Sequence, residues 1–467
     1  MILTPYSLSQ VAQGTDPLEN PSGVITNYGL LSTGVRTEPD ENTYLQMPFN
    51  PGGPTADYDY GHHFLFQGHE NSGSLAYVTR INLDIQDPAH RITLLTPVGD
   101  DGLTHFNSID GSSFDPFAGT LLFTQEAGTN GGVIQSTIAW PPTISTLDGI
   151  IGKGGFEGIH PDDRGNLLIL EDAGGSSVNV IQGETTSPKT ARQPNSFVFR
   201  FVPTDRTNLL SGGKLQALQV MIDGVPLTFN AADPVGDVFA AAQVKLHTVG
   251  QTWPARWVTV HDTAVDGTAS FSANAAAKAA SATPFKRPEN GVFQPASGFR
   301  RFFFDTTGDT DSTSGVQPEL AQRGAYGAIF VLSGLSATGN NAFIGAFFLG
   351  DAAHNSFDNL TFADEITLLA TEDRGDTLHD QLNALDSVWA FTVVGRINTR
   401  RFIALGRDAV SAPTGEEDNE PTGLHVSEGA GDFLHMQGRP LNPVRARAFV
   451  TQQHGLNRTF EIDLGRR

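Results

Sequence analysis

The sequence contains no cysteine in its 467 residues. A disulfide framework, an iron–sulfur cluster, a thiolate zinc site and a catalytic thiol are therefore excluded, because each of them needs a cysteine sulfur. The cellular compartment stays open, since a large domain can be secreted without disulfides.

Basic residues are also scarce, with 29 Lys and Arg against 51 Asp and Glu and a formal net charge of −22. Nucleic acids and anionic membranes are bound through clustered Lys and Arg that displace counterions. We therefore expect neither a nucleic acid nor a membrane as partner.

Long hydrophobic runs are missing as well. The best candidate, residues 328–350, is interrupted by Asn340 and Asn341 and predicts two short strands rather than a membrane span. Residues 1–10 carry neither the charged start nor the apolar stretch of a secretion signal. Export would therefore require a signal that is not in this sequence, and a cytoplasmic location is the alternative.

What the chain does contain is a repeat. Its 51 Gly and 27 Pro are spread evenly, which is typical of many tight turns. A short apolar strand that ends in acidic or polar residues recurs six times between these turns. The copies are residues 64–70 (FLFQGHE), 121–126 (LLFTQE), 167–172 (LLILED), 302–305 (FFFD), 368–373 (LLATED) and 448–454 (AFVTQQH).

Each copy predicts the second strand of a β-hairpin. In the clearest copies an acidic lead residue stands 14 positions before the strand-end glutamate, from Glu157 to Glu171 and from Asp358 to Glu372. Asp-rich turns between the two strands complete the hairpin pattern. Six such units predict an all-β fold, a six-bladed β-propeller. A series of β-sandwich domains would also give evenly spaced strands.

We expect one domain over residues 1–467, with an insertion at residues 203–282 between the third and fourth units. The insertion contains the Ala-rich run 273–282, which is the best helix candidate of the chain. The predicted fold is thus a propeller with a partly helical insertion.

Equivalent strand ends of such a fold converge on one mouth of its central channel. Carboxylates gathered there cannot all stay ionised without cations, and oxygen donors suit Ca²⁺. His69, His160 and His454 could add nitrogen ligands for a transition metal, whereas any single acidic pair could equally be a solvated turn. The predicted metal ligands are Glu70, Glu126, Glu157, Glu171, Asp172, Glu289, Asp358, Glu372, Asp373 and Glu420.

Several short motifs occur in a characteristic order. They are His69-Glu70, residues 107–126, residues 170–173 (LEDA), Arg287-Pro288-Glu289, residues 358–360 (DNL) with 371–373 (TED), and Glu420-x-x-Gly423 with Gln453-His454. In this order they resemble the PhoX-type alkaline phosphatases, which are calcium-dependent bacterial enzymes with six-bladed propellers.

The resemblance implies hydrolysis of phosphate monoesters at a centre of calcium and a pair of ferric ions (Fe³⁺). It implies that Arg287 holds the phosphate, that Glu289 is a metal ligand and that Asn107 belongs to the catalytic site. It further implies a small phosphorylated substrate. We expect a secreted or periplasmic location and a monomeric protein.

The chain departs from the family pattern at the iron site. Ser108 follows Asn107 where the family has cysteine, Ala127 follows Glu126 where the family has a second glutamate, and the late Gln453-His454 motif lacks the usual proline. A hydroxyl is a poor substitute for a thiolate on ferric iron, so calcium is the expected cofactor and the iron pair is in question. A calcium-dependent lactonase or phosphotriesterase and a non-catalytic, calcium-stapled binding propeller are the alternatives.

Overall fold

The computed structural model describes residues 2–3, 6–181, 190–309, 317–373, 378, 382, 384–406, 420–429, 442 and 445–463. The fold is mostly β, as the sequence predicts, and its helices are short. None of the described helices is long and apolar enough to cross a membrane. The α-helices are α1 (Pro88–Arg91), α2 (Pro234–Phe239), α3 (Ala241–Leu246), α4 (Thr263–Asp266), α5 (Ala273–Ala279) and α6 (Pro318–Ala321).

The strands carry most of the chain and are numbered in chain order. The first eleven are β1 (Ser7–Ala12), β2 (Pro17–Ser22), β3 (Ile25–Asn27), β4 (Glu38–Gln46), β5 (His63–Glu70), β6 (Tyr77–Asn82), β7 (Ile92–Leu94), β8 (Ile109–Asp115), β9 (Thr120–Gln125), β10 (Val133–Thr137) and β11 (Ile144–Thr146). The next eight are β12 (Phe156–Pro161), β13 (Leu167–Glu171), β14 (Ser177–Asn179), β15 (Thr190–Arg192), β16 (Val198–Pro203), β17 (Gly213–Ile222), β18 (Val225–Pro226) and β19 (Trp253–Asp262). The last eleven are β20 (Gly291–Phe293), β21 (Arg301–Thr306), β22 (Ala328–Ser333), β23 (Asn341–Leu349), β24 (Phe357–Phe362), β25 (Thr367–Glu372), β26 (Val388–Thr392), β27 (Thr399–Ile403), β28 (Pro421–Ser427), β29 (Arg447–Gln452) and β30 (Thr459–Asp463).

Twenty-four of these strands form six antiparallel groups of four, which we call units 1 to 6, and β2 with β3 and β14 with β15 form separate two-stranded sheets. Unit 6 is completed by β1, which pairs with β30 from the other end of the chain. Each of the six apolar runs found in the sequence is the second strand of its unit. The units, each written from its first strand outwards, are β4-β5-β6-β7, β8-β9-β10-β11, β12-β13-β16-β17, β20-β21-β22-β23, β24-β25-β26-β27 and β28-β29-β30-β1.

The first strands of the units form a closed circuit. In order round the circuit, β4, β8, β12, β20, β24 and β28 each contact the next, and β28 contacts β4 again. The ends of these strands therefore meet at a common centre.

Apolar clusters fill the spaces between neighbouring units. Phe64 and Phe66 of β5 pack with Phe123 of unit 2, whereas Leu65 between them packs with Phe449 of unit 6. Alternate residues of a strand point to opposite faces, so a strand that is covered on both faces must be apolar throughout. This double burial explains why the second strands are continuous apolar runs in the sequence.

Units 3 and 4 belong to one continuous ten-stranded sheet, because β19 pairs with both β17 and β23. Strand β17 lies within residues 203–282 and is the fourth strand of unit 3, so the segment outside the units begins after Ile222. Helix α5 starts at Ala273, where the Ala-rich run predicts it, and the Ser272 side chain accepts a hydrogen bond from Ala275 N at its start. The division into one domain with an insertion stays a prediction.

Close packing between first strands depends on glycine at a few positions. A Cβ added at Gly111 of β8 would lie 2.2 Å from the carbonyl oxygen of Glu157 on β12 and 2.6 Å from Oγ1 of Thr124. Neither distance is possible for real atoms, so a side chain at residue 111 would push units 2 and 3 apart.

We expect Gly111→Ala to lower the free energy of unfolding by about 1–3 kcal/mol, because an overpacked interior must shift backbone. Urea unfolding measures the change. The matched control is Gly174→Ala, where an added Cβ would meet nothing within 4 Å. Equal stability of the two variants would contradict this account of the packing between β8 and β12.

Candidate functional site

One end of the ring of first strands opens into a cavity, which we call the mouth. Its volume is about 250 Å³, and ten of its thirteen lining residues carry a carboxyl group. One arginine is the only fixed positive charge among the described residues that line it. The lining residues are Glu38, Asp40, Glu70, Asp110, Glu126, Glu157, Arg287, Glu289, Asp358, Asp373, Glu420, Gln453 and His454.

A recurring irregularity of the first strands places one set of carboxylates in the mouth. In β8 the pairing with β9 shifts between Ile109 and Ser112. A β-bulge of this kind bends a strand and redirects a side chain. The same shift occurs in β4, β12 and β24. In each of the four strands, the first residue of the shifted stretch carries a carboxylate that lines the mouth. These residues are Asp40, Asp110, Glu157 and Asp358.

The ends of the second strands supply another set. The last paired residues of β9, β13 and β25 are Gln125, Glu171 and Glu372, and the residue after each one carries a carboxylate. Successive residues of an extended chain point to opposite sides. The carboxylates that line the mouth are Glu126 and Asp373, with Glu70 at the equivalent place in unit 1. Asp172 does not line the cavity itself, but it lies against Arg287 and close to Glu157 and Glu289, which do.

Glu171 and Glu372, which the sequence suggests as metal ligands, do not line the mouth. Both are fully buried on the other side of the strand end. Glu171 Oε2 accepts hydrogen bonds from Phe197 N at 3.1 Å and from Asn274 Nδ2 at 2.9 Å. Glu372 Oε1 accepts one from Asn355 N at 2.9 Å. The reason is the alternation of the strand, which cannot turn two consecutive carboxylates into one cavity.

Asn107, suggested as a catalytic residue, also lies outside the mouth lining. Its Oδ1 accepts a hydrogen bond from Ser74 N at 2.9 Å, which fixes the loop before β8. The next residue, Ser108, has a positive φ of 40°, and its carbonyl oxygen accepts a hydrogen bond from Glu126 N at 2.9 Å. These two residues therefore position the entry into β8.

The same backbone arrangement occurs in two other units. Ser356 has φ 51° and accepts from Asp373 N at 2.8 Å, and Arg287 has φ 52° and accepts from Thr307 N at 2.9 Å. In unit 6 the carbonyl of Glu420 accepts from Gln453 N at 2.9 Å. Arg287 and Glu420 thus occupy corresponding positions at the rim of the mouth.

Arg287 is held by two carboxylates, of which Glu289 lines the mouth and Asp172 does not. Its Nε donates to Asp172 Oδ2 at 2.7 Å, and its Nη2 lies 3.5 Å from Glu289 Oε1. The side chain keeps 21 % of its exposure, so part of the guanidinium still faces the mouth. Burial alone would lower the pKa of Arg287, but Asp172, Glu289 and Asp373 raise it well above its ordinary value. The guanidinium is therefore a permanent cation fixed in orientation.

Gln453 joins units 6 and 1 at the mouth. Its Nε2 donates to Asp40 Oδ2 at 2.7 Å and to Glu70 Oε1 at 3.1 Å. His454 beside it has Nε2 3.7 Å from Glu420 Oε2 and 3.8 Å from Glu38 Oε1. It is the one histidine among the described lining residues.

The other two histidines named as possible nitrogen ligands lie elsewhere. His69 is buried between Thr37 and Thr79, at 3.2 Å from Nδ1 and 2.9 Å from Nε2 to their hydroxyls. His160 Nε2 lies 2.8 Å from Asn290 Oδ1. Both are satisfied interior residues.

Carboxylates of the mouth, together with Asp172, form three overlapping groups that could each hold a cation. In every group one oxygen from each of three side chains lies within 4.8 Å of the others, and Asp110 and Glu157 are each shared by two groups. Asp172 Oδ1 is buried and accepts no hydrogen bond from the part of the chain that is described. The groups are Asp40 with Glu70 and Asp110, Asp110 with Glu126 and Glu157, and Glu157 with Asp172 and Glu289.

Burial and mutual repulsion raise the pKa values of these carboxyl groups. The pKa of Glu126 rises to about 8, mainly through burial and then through Asp172, and that of Asp40 rises to about 6. Burial followed by neighbouring carboxylates puts other members well above their ordinary pKa. These members are Glu70, Asp110, Glu157, Glu289, Asp358 and Glu420.

Three carboxylates of the mouth were missed from the sequence. Glu38 and Asp40 belong to β4, whose sequence EPDENT is polar and shows no apolar strand pattern. Asp110 stands three residues after Asn107, which is the residue that the family resemblance indicates in that unit. The bulge, which only the pairing reveals, is the signal that identifies Asp40 and Asp110.

In protein freed of divalent cations, we expect Glu126→Gln to be more stable than the wild type above pH 8. The raised pKa of Glu126 means that its protonated form stabilises the fold fully below pH 4.5 and that this stability is lost as the pH rises through about 8. Glutamine cannot ionise, so above pH 8 the free energy of unfolding of the variant should exceed that of the wild type by about 1–3 kcal/mol. Urea unfolding with chelator across this pH range measures it, and a gain of the same size below pH 4.5 would contradict the explanation.

Comparison with known proteins agrees with this geometry. Residues 188–454, more than half of the chain, match the family described as alkaline phosphatase PhoX. No curated protein matches the sequence.

Among solved structures, the chain is similar to Pseudomonas fluorescens PhoX in complex with vanadate, with 13 % identity and a TM-score of 0.56 over 99 % of this chain and 95 % of that one. A calcium structure of the Trichoderma reesei carbohydrate-active enzymes family AA12 aligns over 99 % and 96 % of the chains, with 10 % identity and a TM-score of only 0.36. The first likeness extends the fold to almost the whole chain. The family match covers units 4 and 5, the last two strands of unit 3 (β16 and β17), the first two strands of unit 6 (β28 and β29), and Arg287 with Glu289. The chain belongs to the alkaline phosphatase PhoX family and is a phosphoric monoester hydrolase.

Proposed function

We propose that this phosphatase hydrolyses small phosphate monoesters at a calcium centre formed by the carboxylates of the mouth. The observation that carries the proposal is the placement of one oriented arginine beside three overlapping groups of carboxylate oxygens. An anionic phosphate would otherwise be repelled by ten carboxyl groups. Cations bound among these carboxylates, together with Arg287, make the electrostatic potential positive where the phosphate binds.

We interpret the six units as the blades of a six-bladed β-propeller. The closed circuit of first strands and the apolar clusters between neighbouring units support this interpretation. In a propeller the mouth is one end of the central channel, which is where strand ends of all blades converge. The ten-stranded sheet is then two blades joined through β19.

The donor atoms fit calcium. Apart from the imidazole of His454, the described mouth offers carboxylate and amide oxygens, which hard cations such as Ca²⁺ prefer. Asp172 Oδ1, which is buried and receives no hydrogen bond from the described residues, is an acceptor available to such an ion. Ser108, at the place of the family cysteine, does not line the mouth, so the residues present support calcium and not an iron pair.

The residues of the chain itself bind and orient the substrate. Arg287 presents a guanidinium fixed by Asp172 and Glu289, which suits contact with phosphoryl oxygens. A calcium ion bound in the mouth supplies positive charge that stabilises the transition state of phosphoryl transfer. The vanadate in the Pseudomonas fluorescens structure is a transition state analogue, and we infer that the phosphoryl group of the substrate binds in this mouth.

A secreted or periplasmic location and a monomeric state accompany this proposal. The location agrees with a calcium cofactor, because calcium is more abundant outside cells than in the cytosol. The lactonase, phosphotriesterase and non-catalytic alternatives lack support of this kind.

We expect purified protein to contain calcium and to hydrolyse p-nitrophenyl phosphate at alkaline pH. Chelation should remove both the metal and the activity, and calcium should restore the activity, because the carboxylates repel a phosphate once the cations are gone. Elemental analysis and the rate of p-nitrophenol release measure the two quantities. Absence of bound metal, or full activity after its removal, would overturn the calcium centre.

Two buried carboxylates make a matched pair for locating the ion. Asp110→Asn should weaken calcium binding by at least about tenfold, because Asp110 is shared by two of the oxygen groups. Glu171→Gln should change it by less than about twofold, because Glu171 faces away from the mouth and its bonded oxygen is retained in the amide. Calcium titration of both variants by calorimetry gives the comparison.

We expect Arg287→Met to lower kcat/KM by about 10²–10³, as for other losses of a donor to a developing anion. Inhibition by inorganic phosphate should weaken as well, whereas calcium content should stay the same. The control is Arg164→Met, which removes an exposed arginine in the turn at the opposite end of β12. Unchanged kinetics in Arg287→Met would show that Arg287 does not bind the phosphate.

A further inference from the structure

The backbone of Arg287 is in a conformation that it would not choose by itself. Its φ of 52° lies in the left-handed region, which is uncommon for residues other than glycine, asparagine and aspartate. Such a conformation persists only when the surroundings fix it. The direction of the Arg287 side chain depends on that fixation.

The preceding residue carries an ion pair that is almost completely buried. Lys286 Nζ lies 2.7 Å from Asp309 Oδ2, and the two side chains are 3 % and 1 % exposed. Asp309 is held in turn, because its Oδ1 accepts from Arg192 N at 2.7 Å and its own N donates to Ala325 O at 2.8 Å. Neither Lys286 nor Asp309 lines the mouth.

Further contacts join the same two segments next to this pair. Gly308 N donates to the carbonyl of Lys286 at 3.3 Å, and Thr307 N donates to the carbonyl of Arg287 at 2.9 Å. The hydroxyl of Thr307 also donates to the carboxylate of Glu289. Residues 286–289 thus contact residues 307–309 both before and after Arg287. The ion pair between Lys286 and Asp309 is the contact on the N-terminal side of Arg287.

Stability alone does not account for the pair. Removing two charges from water costs much of what their attraction returns, and apolar side chains of similar size often stabilise a fold as well. What an ion pair adds is a defined direction, because the lysine must reach one particular carboxylate.

We propose that Lys286 and Asp309 are positioning residues that hold Arg287 in its left-handed conformation and so aim its guanidinium into the mouth. This inference rests on the proposed role of Arg287 in binding phosphate. Neither residue touches the substrate, so their effect is transmitted through Arg287 and is absent when the guanidinium is absent.

The experiment compares three variants with the wild type. The double variant carries Lys286→Met and Asp309→Leu, the single variant carries Arg287→Met, and the triple variant carries all three substitutions. The apolar pair replaces both charges, so neither is left buried alone. We expect the double variant to keep the urea midpoint and the calcium content of the wild type. Its inhibition constant for inorganic phosphate and its KM for p-nitrophenyl phosphate should each rise about tenfold.

The triple variant tests how the effect is transmitted. If the pair acts through Arg287, the apolar pair changes nothing further in the Arg287→Met background, since coupled residues are not additive. An equal rise in both backgrounds, or unchanged phosphate inhibition in the double variant, would overturn the positioning role. Unchanged inhibition in Arg287→Met itself would instead overturn the proposed role of Arg287, and the positioning role with it.

Two conservative variants complete the test. Lys286→Arg keeps the charge pair but changes the packing around it. Its inhibition constant for phosphate should stay within about twofold of the wild type, whereas a role of Lys286 in packing alone would predict a larger change. If the apolar double variant does not fold, Asp309→Asn takes its place, because asparagine keeps the shape and the acceptor for Arg192 N. Phosphate inhibition of Asp309→Asn is then measured with and without Arg287→Met, and the positioning role predicts an effect only where Arg287 is present.

Discussion

Ten carboxyl groups face one mouth of the ring, and their mutual repulsion is the constraint on which the rest of the structure depends. A surface loop could relieve such repulsion by moving apart, but these groups are carried by strands packed into a closed circuit. The repulsion is therefore met in other ways, by raised pKa values, by Arg287 and, in the proposed calcium centre, by bound cations. A site that is unfavourable when empty favours whatever positive charge reaches it, and this is the physical basis of the proposed calcium centre.

The scaffold resists the repulsion because its apolar packing is continuous round the ring. Each second strand has neighbours on both faces, as Leu65 and Phe66 do on opposite sides of β5. Moving one unit outwards would open two interfaces at once, which makes the mouth stiff. The left-handed residues at the starts of three first strands add local anchors, each tied by a carbonyl to the end of the neighbouring second strand.

The second strands could be predicted from the sequence because double burial makes them continuous apolar runs that end in a recognisable way. First strands could be predicted only in part. Glu157 and Asp358 indicate β12 and β24, whereas β4 is polar and shows no apolar strand pattern. The mouth residues at strand ends were predicted in pairs, such as Glu171 with Asp172, because the sequence does not say which of two neighbours faces the channel. Pairing decides it, and pairing also reveals the bulges behind Asp40 and Asp110. Strand β19, which joins two units, depends on contacts that no local pattern encodes.

The pairing of β1 with β30 has a consequence for how the protein assembles. Contacts between residues so far apart in sequence form late, because the entropy of closing such a long loop must first be overcome. Gln453 reaches Asp40 and Glu70 only when that closure brings unit 6 against unit 1. The mouth therefore stays incomplete until β30 has been synthesised and has paired with β1. The proposed calcium centre would then be among the last parts of the molecule to form, in whichever compartment supplies both the closed ring and the ion.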